Sequence, residues 1–96
     1  MHAVLRTYSG KGATELFDIL EKHTKDVEKL LRSVKGFVGY SLVRTAHGGF
    51  SISVCEDKAG TDESLEKARD WIKKNASGAG ASAPLVSEGA AILHLK

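Results

Sequence analysis

Gly48 and Gly49 stand between two β-prone runs in the middle of the chain, Phe37 to Thr45 before them and Phe50 to Glu56 after. That spacing predicts a hairpin at the centre of whatever fold forms, because His47-Gly48-Gly49 supplies the positive-φ residues a tight turn requires. The second run alternates large apolar against small side chains: Phe50, Ile52 and Val54 fall on one side, Ser51, Ser53 and Cys55 on the other. A hairpin alone is not stable in water, so the flanking segments must cover one of its faces.

Both flanks carry a helix and then a strand edge. His2 to Tyr8 reads as strand one, with His2, Val4, Arg6 and Tyr8 on one face and Ala3, Leu5 and Thr7 on the other. After the break at Ser9-Gly10-Lys11-Gly12, apolar residues recur at Leu16, Ile19, Leu20, Val27, Leu30, Leu31 and Val34, a helical stripe. Asp18 with Lys22, Glu21 with Lys25 and Glu28 with Arg32 are opposite charges four apart on its outer side. Gly36 stands where a helix end wants a left-handed residue. Past the hairpin, Thr61 is the expected cap of a second helix with Asp62 and Glu63 in its first turn, Leu65, Ala68 and Ile72 as its buried stripe and Trp71 at the edge. Ser77 to Pro84 is a loop, and Leu85 to Leu95 is expected to close the fold as a strand, with Gly89 at a bulge or close approach.

The order strand, helix, strand, strand, helix, strand predicts an α+β, ferredoxin-like βαββαβ fold. Right-handed crossovers give a four-stranded antiparallel sheet of order 4-1-3-2 with two helices on one face. With 96 residues and 42% apolar content, one domain spanning residues 1–96 is expected. The opposite sheet face has no helix, yet Val4 and Leu5, Val38 and Val43, and Ile92 and Leu93 put apolar groups on both sides of their strands. An uncovered apolar face of this kind marks an interface, so the chain is expected to pair with a copy of itself.

Composition removes several classes of partner. Net charge is +2 from 14 basic and 12 acidic residues interspersed along the chain, which is no footprint for nucleic acid or an anionic membrane. The single cysteine excludes an intrachain disulfide and fits a reducing compartment. No apolar run approaches the ~20 residues of a bilayer span, and the polar Arg6 interrupts the start too early for a signal sequence, so a cytoplasmic protein is expected.

The segment Leu31-Arg32-Ser33-Val34-Lys35-Gly36-Phe37-Val38-Gly39-Tyr40 resembles the helix-to-strand junction of dimeric α/β-barrel proteins of the antibiotic biosynthesis monooxygenase type. Ala3-Val4-Leu5-Arg6-Thr7-Tyr8 and Val54-Cys55-Glu56-Asp57 are similar to the corresponding segments. The resemblance implies a homodimer with a pocket between helices and sheet, used in some members for cofactor-free oxidation of aromatic or quinol substrates. Other members degrade haem with an asparagine early in strand one and a tryptophan and histidine associated with helix two. This chain has neither that asparagine nor a histidine in helix two, which speaks against haem, and no cofactor is expected.

Trp71, Tyr40, Tyr8 and Arg6 are the candidate ligand-binding residues: flat rings would hold an apolar or aromatic small molecule and the guanidinium would steady an anion. No catalytic residue is assigned, and a non-catalytic dimerisation module is the alternative function. His2 and His94 would meet if strands one and four pair antiparallel, with Glu88 or Glu56 as a carboxylate; without a third ligand demanded by spacing, no metal site is expected. His23 is expected to pack from helix one against the sheet, His47 to sit in the turn, and Cys55 to be a buried strand residue rather than an activated thiol. The Gly78-Ala79-Gly80-Ala81-Ser82-Ala83 stretch follows a helix and precedes a strand, so it is no dinucleotide loop. Gly10-Lys11-Gly12 lacks the spacing of a phosphate loop and reads as a connecting turn.

Overall fold

The computed structural model describes residues 1–96 and contains strands β1 (His2–Ser9), β2 (Phe37–Thr45), β3 (Gly48–Cys55) and β4 (Leu85–Ala90), with helices α1 (Ala13–Lys22), α2 (Thr24–Arg32) and α3 (Lys58–Asn75). The strands form one antiparallel sheet in the order β2-β3-β1-β4, which is the expected order and the ferredoxin-like arrangement. The central hairpin turns at Ala46 and His47, neither of which has a positive φ; Gly48 and Gly49, expected in the turn, are instead the first residues of β3, paired with Thr45 and Arg44, and β2 carries an irregularity between Phe37 and Gly39.

The helices cover one face. Leu16, Phe17 and Leu20 of α1 and Val27 and Leu31 of α2 are buried with Tyr8 of β1 in one cluster, so the apolar stripe does what its spacing predicts. The Phe17 ring of α1 packs over Gly49: a Cβ there would lie 2.3 Å from it, so the strand needs a residue without a side chain at that point. Gly36 has φ 79° and turns the chain into β2, as a left-handed glycine after a helix does.

Four further expectations are corrected. The first helix is two, α1 and α2, broken at His23 (φ −119°, ψ 30°). Residues Glu21 to Asp26 are all polar and all exposed, so no buried side chain ties the middle turn to the sheet and the two halves seat independently. The last helix begins three residues before Thr61: Asp57 is its cap and accepts from the Gly60 amide at 3.0 Å, while the Thr61 side chain is buried and donates to the Lys58 carbonyl. The final strand ends at Ala90, not Leu95. His2 pairs with Ala90 at the very start of β1, so beyond one further bond, from the Ala91 amide to the Met1 carbonyl, no strand remains for the chain to pair with. Gly89 lies in regular register opposite Ala3 with open space around it, so it is neither bulge nor close approach.

Of the three expected i,i+4 pairs only Glu28 with Arg32 forms, at 2.8 Å; Asp18 and Glu21 both turn to Arg44 on β2 instead, tying α1 to the edge strand. Removing the Asp57 cap in Asp57→Ala is expected to cost about 1 kcal/mol, read as a lower urea midpoint with an unchanged denaturant slope; a loss below the detection limit would transfer the start of α3 to other contacts.

The sheet face away from the helices is open. Leu5 and Ile52 face each other across β1 and β3 and are 37% and 38% exposed, with Val43 beside them at 36% and Leu85 at 77%. Ile92, Leu93 and Leu95 follow as exposed apolar residues beyond β4.

Candidate functional site

The alternation of β1 sends Val4, Arg6 and Tyr8 under the helices, and the antiparallel register sets Ser51 of β3 opposite Arg6 and Leu42 of β2 opposite Ser51. Tyr40 enters from the same face of β2, and Trp71 comes down from α3. All four candidate residues, Arg6, Tyr8, Tyr40 and Trp71, therefore line a single enclosure between sheet and helices, closed by Leu20, Val27, Leu31, Leu42, Ala68 and Ile72. The enclosure itself is narrow, about 20 Å³, which is roughly the room one water needs.

Arg6, Tyr8 and Ile72 are shared with a second, larger space. A cleft of about 350 Å³ lies on their other side, walled by Leu16, Leu65 and Arg69 and by the loop from Ala81 through Pro84 to Val86. That volume is at the lower end of the ~300–1,000 Å³ of small-molecule sites. The loop is held in place from below: the Ser82 amide donates to the Lys11 carbonyl at 3.1 Å, and a Cβ on Gly12 would lie 2.6 Å from Ala81. Gly10-Lys11-Gly12 thus serves as a turn that seats the cleft loop.

The polar groups in this region are few and poorly matched. Arg6 is 5% exposed, and its Nη2 donates to the Tyr8 hydroxyl while its Cζ lies 5.4 Å from the Tyr8 ring centroid. Its Nε has no partner, nor has the Ser51 hydroxyl, both of them buried. Burial pushes the Tyr40 phenol above its ordinary value, with the Arg6 charge pulling the other way, so Tyr40 stays protonated at neutral pH. No carboxylate or histidine lines either space. The arrangement can hold and polarise an oxygen-bearing molecule; it has no residue placed to take a proton from carbon.

The histidines lie elsewhere. His2 meets Glu88 at 2.9 Å, and Glu88 also accepts from Lys58 at 3.3 Å, which holds its carboxyl below the usual range through the His2 contact first and Lys58 second. With strand β4 ended at Ala90, His94 has no register position beside His2, and no group of three or more His, Cys, Asp or Glu side chains stands close enough to hold a metal ion. His23 does not pack on the sheet: it is exposed at the helix break, edge-on to Trp71 with ring centroids 5.7 Å apart. Cys55 is fully buried, and burial followed by the charges of Asp57 and Glu63 pushes its thiol up, the opposite of activation.

Sequence reasoning missed Arg69 and Ser51. Arg69 falls four residues after Leu65 and three before Ile72, at the exposed edge of the α3 stripe, where its place in the cleft wall follows from the fold rather than from the spacing. Ser51 is marked only by its register opposite Arg6, which the residues alone do not fix.

No family model matches the chain, and no curated protein matches it. Solved structures do. SnoaB, a cofactor-independent oxygenase from Streptomyces nogalater, superimposes with a TM-score of 0.61 at 17% identity, over 98% of this chain and 94% of that one. A variant of MhuD with two manganese protoporphyrin IX bound per active site gives 0.66 at 14% identity, over 99% and 97%. A dimeric ferredoxin-like protein from an uncultured marine organism gives 0.65 at 10% identity, over 99% and 95%. The chain shares the ferredoxin-like fold of these structures over 98–99% of its length.

Proposed function

We propose that residues 1–96 form one cytoplasmic domain that pairs through its open sheet face and binds a small apolar or aromatic molecule between helices and sheet, oxidising it with O2 and no cofactor. The observation that carries this reading is the gathering of Arg6, Tyr8, Tyr40 and Trp71 around one apolar enclosure that adjoins a 350 Å³ cleft. A flat molecule in the cleft would lie against Tyr8 and Ile72 and reach the Arg6 guanidinium. In such a reaction the substrate supplies the electrons: a naphthol and O2 become a naphthoquinone and water, with one oxygen atom in each product. Support for the fold of such enzymes comes from SnoaB, and support for pairing comes from the dimeric ferredoxin-like structure and from the exposed Leu5, Ile52 and Leu85.

A second reading, a non-catalytic dimerisation module, is favoured by the narrowness of the space beside Trp71. Trp71 is the only tryptophan, so its emission separates the two. Saturable quenching by 1,4-naphthoquinone, together with O2 uptake and quinone formation from 1-naphthol in chelator-treated buffer, is the expected result. Quenching that rises linearly, as for a tryptophan in the unfolded chain, with no O2 uptake, would leave the module.

A further inference from the structure

Arg6 is the only charged side chain buried in the fold, and none of the ion pairs reaches it. A guanidinium keeps its charge at any pH the protein survives, so it cannot relieve its burial by losing a proton. Its one polar partner is the neutral Tyr8 hydroxyl, and its Nε is orphaned. Buried cations are paired in folded proteins because an unpaired one is costly, and the missing counter-charge has to come from outside this chain's fold. Arg6 faces the helices, so a second copy docked on the opposite sheet face does not reach it.

The cleft supplies the route. Arg6 forms part of its wall, Arg69 stands in the same wall without an ion pair, and Tyr8 and Ser82 are the other polar residues; Leu16, Leu65, Ile72, Ala81, Ala83, Pro84 and Val86 make the rest apolar, with no acidic side chain among them. Resting on the small-molecule reading above, we infer that the ligand is an anion: a flat apolar body carrying one ionised oxygen group, a carboxylate or an ionised phenol or enol, which pairs with Arg6 while Arg69 draws it in. The buried guanidinium holds the charged oxygen, and the aliphatic wall holds the ring. Because no residue of the cleft can act as a base, the ligand enters already ionised or ionises against Arg6.

The test compares 2-naphthoate with its neutral near-isostere 2-naphthamide, and 4-nitrophenolate as the phenolate arm, by amide shifts of the full chain in 15N-labelled form at neutral pH. The expected result is saturable shifts at residues 6–8, 65–72 and 81–86, with one of the anions bound at least ~10-fold more tightly than the amide, as a charge-assisted hydrogen bond predicts. Arg6→Met is expected to bring the ratio of anion to amide near one, and Arg69→Gln to lower it by about 2-fold, since that charge is solvent-screened. Naphthoate and nitrophenolate preference separate the carboxylate from the phenolate source. Equal binding of anion and amide overturns the inference and leaves the small-molecule reading standing. Absence of cleft shifts with all three probes overturns both. Should Arg6→Met fail to fold, the anion-to-amide ratio on the wild-type chain decides.

Discussion

Arg6→Met is expected to unfold at a higher urea concentration than the wild-type chain, with a gain of about 1–4 kcal/mol, the range seen when a buried ion pair is exchanged for apolar volume. Methionine matches the length of the arginine stem and can fill the space among Tyr8, Tyr40 and Leu42 without a charge to solvate. Against the gain stands the Tyr8 hydroxyl, which loses its Arg6 donor at about 1 kcal/mol. The larger effect is relief of a cation that is 5% exposed, lacks any carboxylate and leaves its Nε unbonded. In a chain of 96 residues each kcal/mol moves the melting temperature by roughly 4–8 °C, so thermal and urea unfolding should agree in sign. A loss of stability instead would make the guanidinium a strut that holds Tyr8 in place, and the binding argument would lose its ground. Stability gained together with anion binding lost is the signature of a residue kept for a ligand, because such sites carry strain that the rest of the fold tolerates.

What the residues announced and what they concealed follow from the range of the interactions involved. The central hairpin, the alternation of β1 and the stripe of α1 and α2 rest on neighbours two to four positions apart and are legible, although the turn falls at Ala46-His47, just before the two glycines that mark it in the sequence. The end of β4 is not: Ile92, Leu93 and Leu95 have the composition of a strand, but a strand needs a partner, and β1 has run out at His2. The break at His23 is hidden because Leu20 and Val27 keep the stripe in phase across six polar residues. At the site, Arg6, Tyr8, Tyr40 and Trp71 could be named because alternation and helical spacing aim them inward. That Arg6 lacks an acid is a fact of tertiary packing: Asp18 and Glu21 go to Arg44, Glu28 to Arg32, Asp62 and Glu88 to Lys58 and Glu63 to Lys67, and no carboxylate lines either space that Arg6 borders.

The open face leads to the second large effect. Ile52 lies on the central strand β3, opposite Leu5 of β1 and Ser41 of β2, so it is surrounded on the sheet by the residues a face-to-face partner would cover. Full burial of an isoleucine side chain contributes about 1.5–3 kcal/mol; Ile52 has 38% left to bury, so each subunit gains roughly 0.6–1.1 kcal/mol, and two-fold pairing doubles it, since the same residue enters from both subunits. Ile52→Asp removes that contribution twice and adds two carboxylates to a drying interface. With each unpaired carboxylate adding about 1–3 kcal/mol or more of desolvation cost, the dissociation constant is expected to rise by at least ~10²-fold, enough to turn a dimer at micromolar concentration into a monomer by sedimentation or light scattering. The monomer should keep its helical and sheet signal, because Ile52 is 38% exposed in the isolated subunit and takes no part in the buried cluster under the helices. Glu66→Gln, on the exposed side of α3 and in no ion pair, should leave association unchanged. A wild-type chain that stays monomeric at about 0.1 mM, well above the Kd of a specific interface, would mean the apolar face is simply wetted; an Ile52→Asp variant that still pairs would move the interface to another surface and leave Leu5, Val43 and Leu85 without a role in assembly.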